Sequence, residues 1–193
     1  INNKTTQYIE PFVGGANIID KIKFHNKLGM DINKYLISLL SYSQHNNLPE
    51  TISEDTYNKV KNNKENYEDW FVGLVGFCGS FGAKWFGGFA RRYNKDGSLF
   101  DVPRQAINNI RKQSRGDMFK NIQFTNGSYN DLDCVKIENA VIYCDPPYRD
   151  TTAYKDNEFN YNDFYKWCID MSKKNTVLIS EYYMPENYFK CIW

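Results

Sequence analysis

Cysteine, histidine and one-signed charge are all in short supply in this chain. The five cysteines, Cys78, Cys134, Cys144, Cys168 and Cys191, are odd in number, form no CxxC pair and are accompanied by two histidines. That excludes a disulfide framework and gives zinc no ligand spacing, so reduced thiols and no metal are expected. A formal net charge of +1 points to no polyanionic partner by itself. Long apolar runs are also missing. The nearest, FVGLVGFCGSFGAKWFGGFA at 71–90, holds six glycines and Lys84 and runs into Arg91 and Arg92. A buried or ligand-facing segment is expected there, and no membrane span. The opening INNKTTQYIE has no basic-then-apolar order, so no secretory leader is expected.

What is present is a globular composition. With 193 residues, 41% apolar and 17% aromatic, the chain fits one medium domain with a small insertion and can bury a sizeable core. Abundant Asn, Lys, Ile and Tyr suggest an AT-rich genome. Charge is unevenly spread: from Lys84 to Arg115, eight cations face only Asp96 and Asp101, so this segment carries +6 in a chain of +1.

The order of elements reads as α/β. QYIEPF is a short strand, VGGAN breaks it, and IIDKIKF follows with helical spacing. A second strand around Lys27 to Met30 ends in Asp31, and NKYLISLLSYSQ continues as an amphipathic helix with apolar positions at Tyr35, Leu36, Leu39 and Leu40. Thr51 with Glu54 offers a capping box for a helix through Tyr57 and Val60. Asp-Gly between Tyr93 and Phe100 signals a hairpin turn. Strands return at NIQFTNGSY, AVIYCDPPY and TVLISEYY, with a helix expected from Tyr161 to Lys173. The βα units therefore form one unit, 1–45 with 121–193, around an inserted region at 46–120 that departs from their pattern.

Two places carry chemistry. Gly14 and Gly15 sit directly after a strand and before a helix, where backbone can approach a ligand closely. Asp31 lies 17 residues beyond Gly14 at the next strand end. In nucleotide-binding sheets, an acid placed this way accepts hydrogen bonds from ribose hydroxyls. In NAVIYCDPPYRD, Pro146 and Pro147 fix the backbone directly after an apolar strand, so Asp145 and Tyr148 are displayed at a rigid strand end.

In their order along the chain, YIEPFVGGAN, MDIN, YCDPPY and VLISEYY resemble the Dam-type, D12-class DNA adenine-N6 methyltransferases. The resemblance implies a Rossmann-like S-adenosyl-L-methionine-dependent methyltransferase sheet carrying a mainly helical target-recognition insertion with a hairpin. It assigns the methyl-donor site to Glu10, Pro11, Phe12, Gly14, Gly15, Asp31, Ile32, Ser128, Tyr129 and Asp145, and the target base to Asp145, Pro146, Pro147 and Tyr148. An exocyclic adenine amino group is a poor nucleophile because its lone pair is delocalised into the ring. Acceptors for its two hydrogens let the nitrogen rehybridise, and the Asp145 carboxylate with a proline carbonyl, assigned by the resemblance to Pro146, can supply them. Tyr148 offers a flat face for a base flipped out of the duplex.

The cation-and-aromatic segment GAKWFGGFARRYNKDGSLFDVP resembles the DNA-contacting hairpin of the same enzymes. Lys84, Arg91, Arg92, Tyr93, Asn94, Lys95 and Arg104 are the expected contacts to double-stranded DNA. Glycines 73, 76, 79 and 82 recur every third residue and are expected along one helix edge. Relatives usually begin with a Lys-Trp-Gly-Gly-Lys-like element and continue beyond the strand at VLISEYY, so both ends are expected to be shortened here. The expected activity is site-specific methylation of adenine N6 in DNA by a cytoplasmic, monomeric bacterial or phage enzyme, within or outside a restriction pair. RNA adenine or cytosine N4 as substrate is an alternative, and a catalytically silent DNA-binding module is another.

Overall fold

The computed structural model describes residues 5–148, 159–182 and 184–192. Arg149, Asp150 and Tyr183, which belong to the stretches quoted above, lie outside them. In chain order the elements are β1 (Gln7–Glu10), β2 (Asn26–Asp31), α1 (Lys34–Ser43), α2 (Glu54–Asn62), α3 (Asp69–Cys78), β3 (Arg92–Tyr93), β4 (Leu99–Phe100), α4 (Val102–Ser114), α5 (Asp117–Lys120), β5 (Ile122–Asn126), β6 (Ala140–Cys144), α6 (Tyr161–Ser172) and β7 (Thr176–Ile179). Five strands form one sheet in the order β5-β2-β1-β6-β7, with every neighbouring pair parallel. This is the expected Rossmann-like α/β arrangement.

Strand alternation sorts the core into two layers. Ile9 and Ile142 face α6, where Phe164, Trp167, Cys168 and Met171 are buried. Tyr8 and Val141 face the opposite side with Ile37 and Leu40 of α1 and Phe119 of α5. Asn33 caps α1 by accepting from the amides of Tyr35 and Leu36 at 3.1 and 3.2 Å, and Asn160 caps α6.

A third core fills the inserted region. Leu39, from the other side of α1, packs with Tyr57 and Val60 of α2, Val72, Leu74 and Val75 of α3, Phe86 and Ile107. α3 crosses α1 at backbone contact, because a Cβ on Gly73 would lie 2.2 Å from the Tyr35 carbonyl oxygen. Tyr42 stacks on Trp70 at 3.8 Å and Tyr35 on Trp85 at 5.2 Å. Among the described residues, no helix is long and apolar enough to cross a membrane.

Three local expectations are corrected, and one helix not singled out in the sequence is added. The helix expected in IIDKIKF is only a single 3-10 turn at Ile19–Lys21. Ile22 is already extended, and the Ile19 carbonyl accepts both from the Ile22 amide at 3.3 Å and from the buried Lys27 amine at 3.2 Å. The cap of α2 is Ser53, whose hydroxyl accepts from the Thr56 amide at 3.1 Å, while Thr51 bonds Asp101 instead. The glycine spacing does not run along one helix: α3 ends at Cys78, Gly79 caps it, and Gly82 has φ +62° in the loop beyond. Residues 102–114, read only as charge, form a helix capped by Asp101 with proline in its first turn.

Candidate active site

The sheet order reverses between β1 and β6, and a parallel α/β sheet opens a crevice at the carboxyl ends of the strands flanking such a reversal. Glu10 ends β1, Asp31 ends β2, Ser128 and Tyr129 follow β5, and Asp145 follows β6. Four separated pieces of sequence thus meet at one rim of the sheet.

The glycine turn is anchored by backbone and side chain together. The Val13 amide donates to the Met30 carbonyl at 2.7 Å, folding the turn back on β2. Gly14 has φ +48°, and its amide donates to Asp31 Oδ2 at 3.2 Å. A Cβ on Gly14 would meet nothing within 4 Å, so its outer face is open. The other Asp31 oxygen accepts from the Asn33 amide at 2.9 Å. Burial pushes the Asp31 carboxyl up, and these two amides oppose the shift. A carboxylate has about four acceptor sites, so two remain for a ligand. Sequence reasoning missed the next contact. Gln113, near the end of α4, donates from Nε2 to the carbonyls of Gly15 and Ala16 at 3.1 and 3.0 Å.

Around this turn the expected methyl-donor residues fall into two groups. Phe12 and Tyr129 are half-buried and stacked, with centroids 5.6 Å apart, and the edges of Phe164 and Trp167 close behind Tyr129. Ile32, directly after Asp31, is exposed. Ser128 caps the short turn that carries Tyr129, its amide donating to Asp131 Oδ2 at 2.7 Å. Glu10 is buried and accepts from the Tyr8 hydroxyl at 2.8 Å. Its carboxyl is pushed up to about 7, chiefly by burial; the Tyr8 bond opposes this and the neighbouring Asp145 charge adds to it.

Asp145, by contrast, is exposed at the mouth of the crevice. Its Oδ1 accepts from the Tyr148 hydroxyl at 2.9 Å, and that hydroxyl also lies 2.9 Å from Ser180 Oγ at the end of β7. The Ser180 amide donates to the Cys144 carbonyl at 2.8 Å, tying β7 to the residue before Asp145. Pro146 is buried, and the Pro147 carbonyl accepts from the Tyr161 hydroxyl of α6. The Tyr148 ring is tilted against exposed Tyr182 at 5.1 Å. Ser180 lies in the quoted VLISEYY stretch and Tyr161 at the start of an expected helix, yet neither stands out as a site residue, because a serine or tyrosine at an element end is unremarkable until the fold brings it to Asp145.

A family profile matches the stretches that carry these residues. The profile of the D12 class N6 adenine-specific DNA methyltransferases covers residues 1–75 and 72–181. The chain belongs to this family. It is also similar to proteins called DNA adenine methylase from Salmonella typhi and from Salmonella typhimurium strain LT2, at 26% identity over 185 aligned residues. The match covers 79% of this chain and 62% of each relative, so the chain spans less than two thirds of their length.

The residues expected to contact DNA lie on the inserted region. β3 and β4 pair antiparallel as the expected hairpin, with Tyr93 and Lys95 exposed. Asn94 closes its turn, the amide donating to the Ser98 carbonyl at 2.8 Å and the side chain to Ser98 Oγ at 2.9 Å. The Arg92 guanidinium lies 5.2 Å over the Phe100 ring. Lys84 is exposed in the loop preceding the hairpin. Arg91 and Arg104 are already engaged, Arg91 with Glu54 and Arg104 with Asp101 and Glu50. The structure therefore gathers Arg92, Tyr93, Asn94 and Lys95 on one hairpin and ties Arg91 and Arg104 to neighbouring acids. Among the described residues no cluster of His, Cys, Asp or Glu is arranged to hold a metal.

Proposed function

We propose that this chain transfers a methyl group from S-adenosylmethionine to N6 of adenine in double-stranded DNA, inside the cell that carries it. The observation that carries this reading is the meeting of the glycine turn and Asp145 on adjacent strands at the sheet reversal. The residues there suit the methyl donor: an open glycine turn, two spare acceptor sites on Asp31, and partly exposed aromatic faces at Phe12 and Tyr129. When bound, S-adenosylmethionine supplies an electrophilic methyl group.

The protein's part is to make the amino nitrogen available. Asp145 accepts one amino hydrogen through the oxygen not taken by Tyr148. The Pro146 carbonyl, held by the proline pair, accepts the other; Tyr161 engages the neighbouring Pro147 carbonyl. As the lone pair localises on nitrogen, positive charge grows there, and acceptors fixed beforehand stabilise it without reorganisation. The Tyr148 ring holds the base. The chemistry requires no covalent enzyme intermediate. The exposed hairpin with Lys84, Arg92 and Lys95 contacts the duplex, and residues 46–120 act as the recognition region.

The test is transfer of labelled methyl to adenine-containing duplex DNA, with base analysis of the product. N6-methyladenine is the expected product. Labelled RNA or N4-methylcytosine would change the substrate, and retardation of DNA on a gel without transfer would leave a binding module.

A further inference from the structure

We propose that Ser180, through Tyr148, positions the Asp145 carboxylate for the transfer; this rests on the adenine reading given above. The argument begins with proton counting. A tyrosine hydroxyl has one proton, and an ionised carboxylate can only accept. The Tyr148 proton is directed to Asp145 Oδ1 at 2.9 Å. With that proton committed to Asp145, the second short contact of the same hydroxyl, 2.9 Å to Ser180 Oγ, runs from serine to tyrosine, and the Ser180 hydroxyl is left to accept from Tyr143 of β6, its other phenol partner. The result is a directed chain, Ser180 to Tyr148 to Asp145.

Each link has a mechanical consequence. Asp145 stands exposed at a strand end, where its carboxylate would rotate freely. The Tyr148 bond fixes Oδ1 and leaves Oδ2 as the acceptor for the base. Tyr148 in turn needs its ring held at one angle, and the Ser180 hydroxyl fixes the phenol from β7. Ser180 can do this because its backbone is bonded to Cys144, immediately before Asp145, at 2.8 Å. The ends of β6 and β7 thus form a closed ring of hydrogen bonds. The Ser180 bond pulls the Tyr148 phenol down while burial, the Asp145 carboxylate and the nearby Tyr143 push it up, with a net upward shift.

One measurement uses turnover. Ser180→Ala is expected to lower kcat about tenfold with KM unchanged, the effect of one positioning hydrogen bond. Ser180→Thr, which keeps the hydroxyl, should recover most of it. In a Tyr148→Phe background, which retains the ring but has no phenol to position, Ser180→Ala should add nothing. Equal losses in both backgrounds, or no loss in the single variant, would overturn the proposal.

A second measurement needs no turnover. In protein labelled with 3-fluorotyrosine, the fluorine resonance that disappears in Tyr148→Phe reports the phenol. Ser180→Ala should move its titration to higher pH, and an unmoved titration overturns the relay. If that shift is seen but the wild-type chain methylates no adenine, the relay stands as geometry and the adenine reading fails.

Discussion

Two carboxylates end adjacent strands at the crevice, and their surroundings push them apart in character. Asp145 is exposed and held by a phenol; Glu10 is buried and pushed up to about 7 from an ordinary value of 4.5. Removing the Asp145 acceptor by Asp145→Ala should cost on the order of 10² to 10³ in kcat. DNA retardation should be largely retained, and unchanged transfer would end its assignment as an acceptor. Glu10 makes a different prediction, about stability. Its pKa is raised in the folded state, so between about 4.5 and 7 the native protein binds more protons than the unfolded chain and stability falls as pH rises through that window. Glu10→Gln removes this dependence. In urea unfolding at pH 5 and pH 8, the variant should gain on the wild type at the higher pH, by on the order of 1 to 3 kcal/mol. A pH-independent difference would show that burial does not control the group. The sequence made Asp145 legible because an apolar run followed by Asp-Pro-Pro has few structural uses. It gave no sign that Glu10 would be buried while its neighbour stands exposed, since that depends on what the fold packs over each.

At the scale of elements, α4 joins two places that lie far apart in the chain. It starts directly after the hairpin, at Val102, and near its other end Gln113 holds the glycine turn. Gln113→Ala should loosen that turn and weaken S-adenosylmethionine binding several-fold in calorimetry while leaving the fold intact. An unchanged affinity would make Gln113 a purely structural cap. α3 offers a sharper test of packing. Gly73→Ala would gain about 1 kcal/mol in helix propensity. The added carbon, however, would meet a backbone oxygen at 2.2 Å, which cannot rotate away as a side chain would. The clash should win, with a net loss on the order of 1 to 3 kcal/mol in denaturant unfolding; a gain would mean that α1 and α3 slide apart freely. The strands and α1 were legible from periodicity. The helix misread in IIDKIKF and the displaced cap at Ser53 were not, because both lie where hydrogen bonds from residues distant in sequence reach the chain, Lys27 to Ile19 in one case and Thr51 to Asp101 in the other. α4 was obscured because its polar face reads as charge alone.

Over the whole molecule, positive charge is concentrated in the inserted region, but not all of it is free to meet phosphate. Arg91 and Arg104 are paired with acids in the isolated protein, whereas Arg92, Lys84 and Lys95 are paired with none in any ion pair described. Arg92→Ala should therefore weaken DNA binding and reduce the slope of log affinity against log salt by about 1. Unaltered affinity and slope would return the hairpin to the status of a surface loop. The same pairing shows why counting cations along the sequence overstates the footprint, since Glu50 and Glu54 lie outside the basic stretch and come to it only through the fold.

The double use of α1 has a consequence for exchanging parts between relatives. One side of this helix belongs to the sheet and the other, through Tyr35, Leu39 and Tyr42, to the core and aromatic stacks of the inserted region. A chimaera that takes its inserted region, 46–120, from another family member would set a foreign surface against these three residues. Grafts that carry the donor's counterparts of Tyr35, Leu39 and Tyr42 should be recovered soluble far more often than grafts cut at the connecting loops.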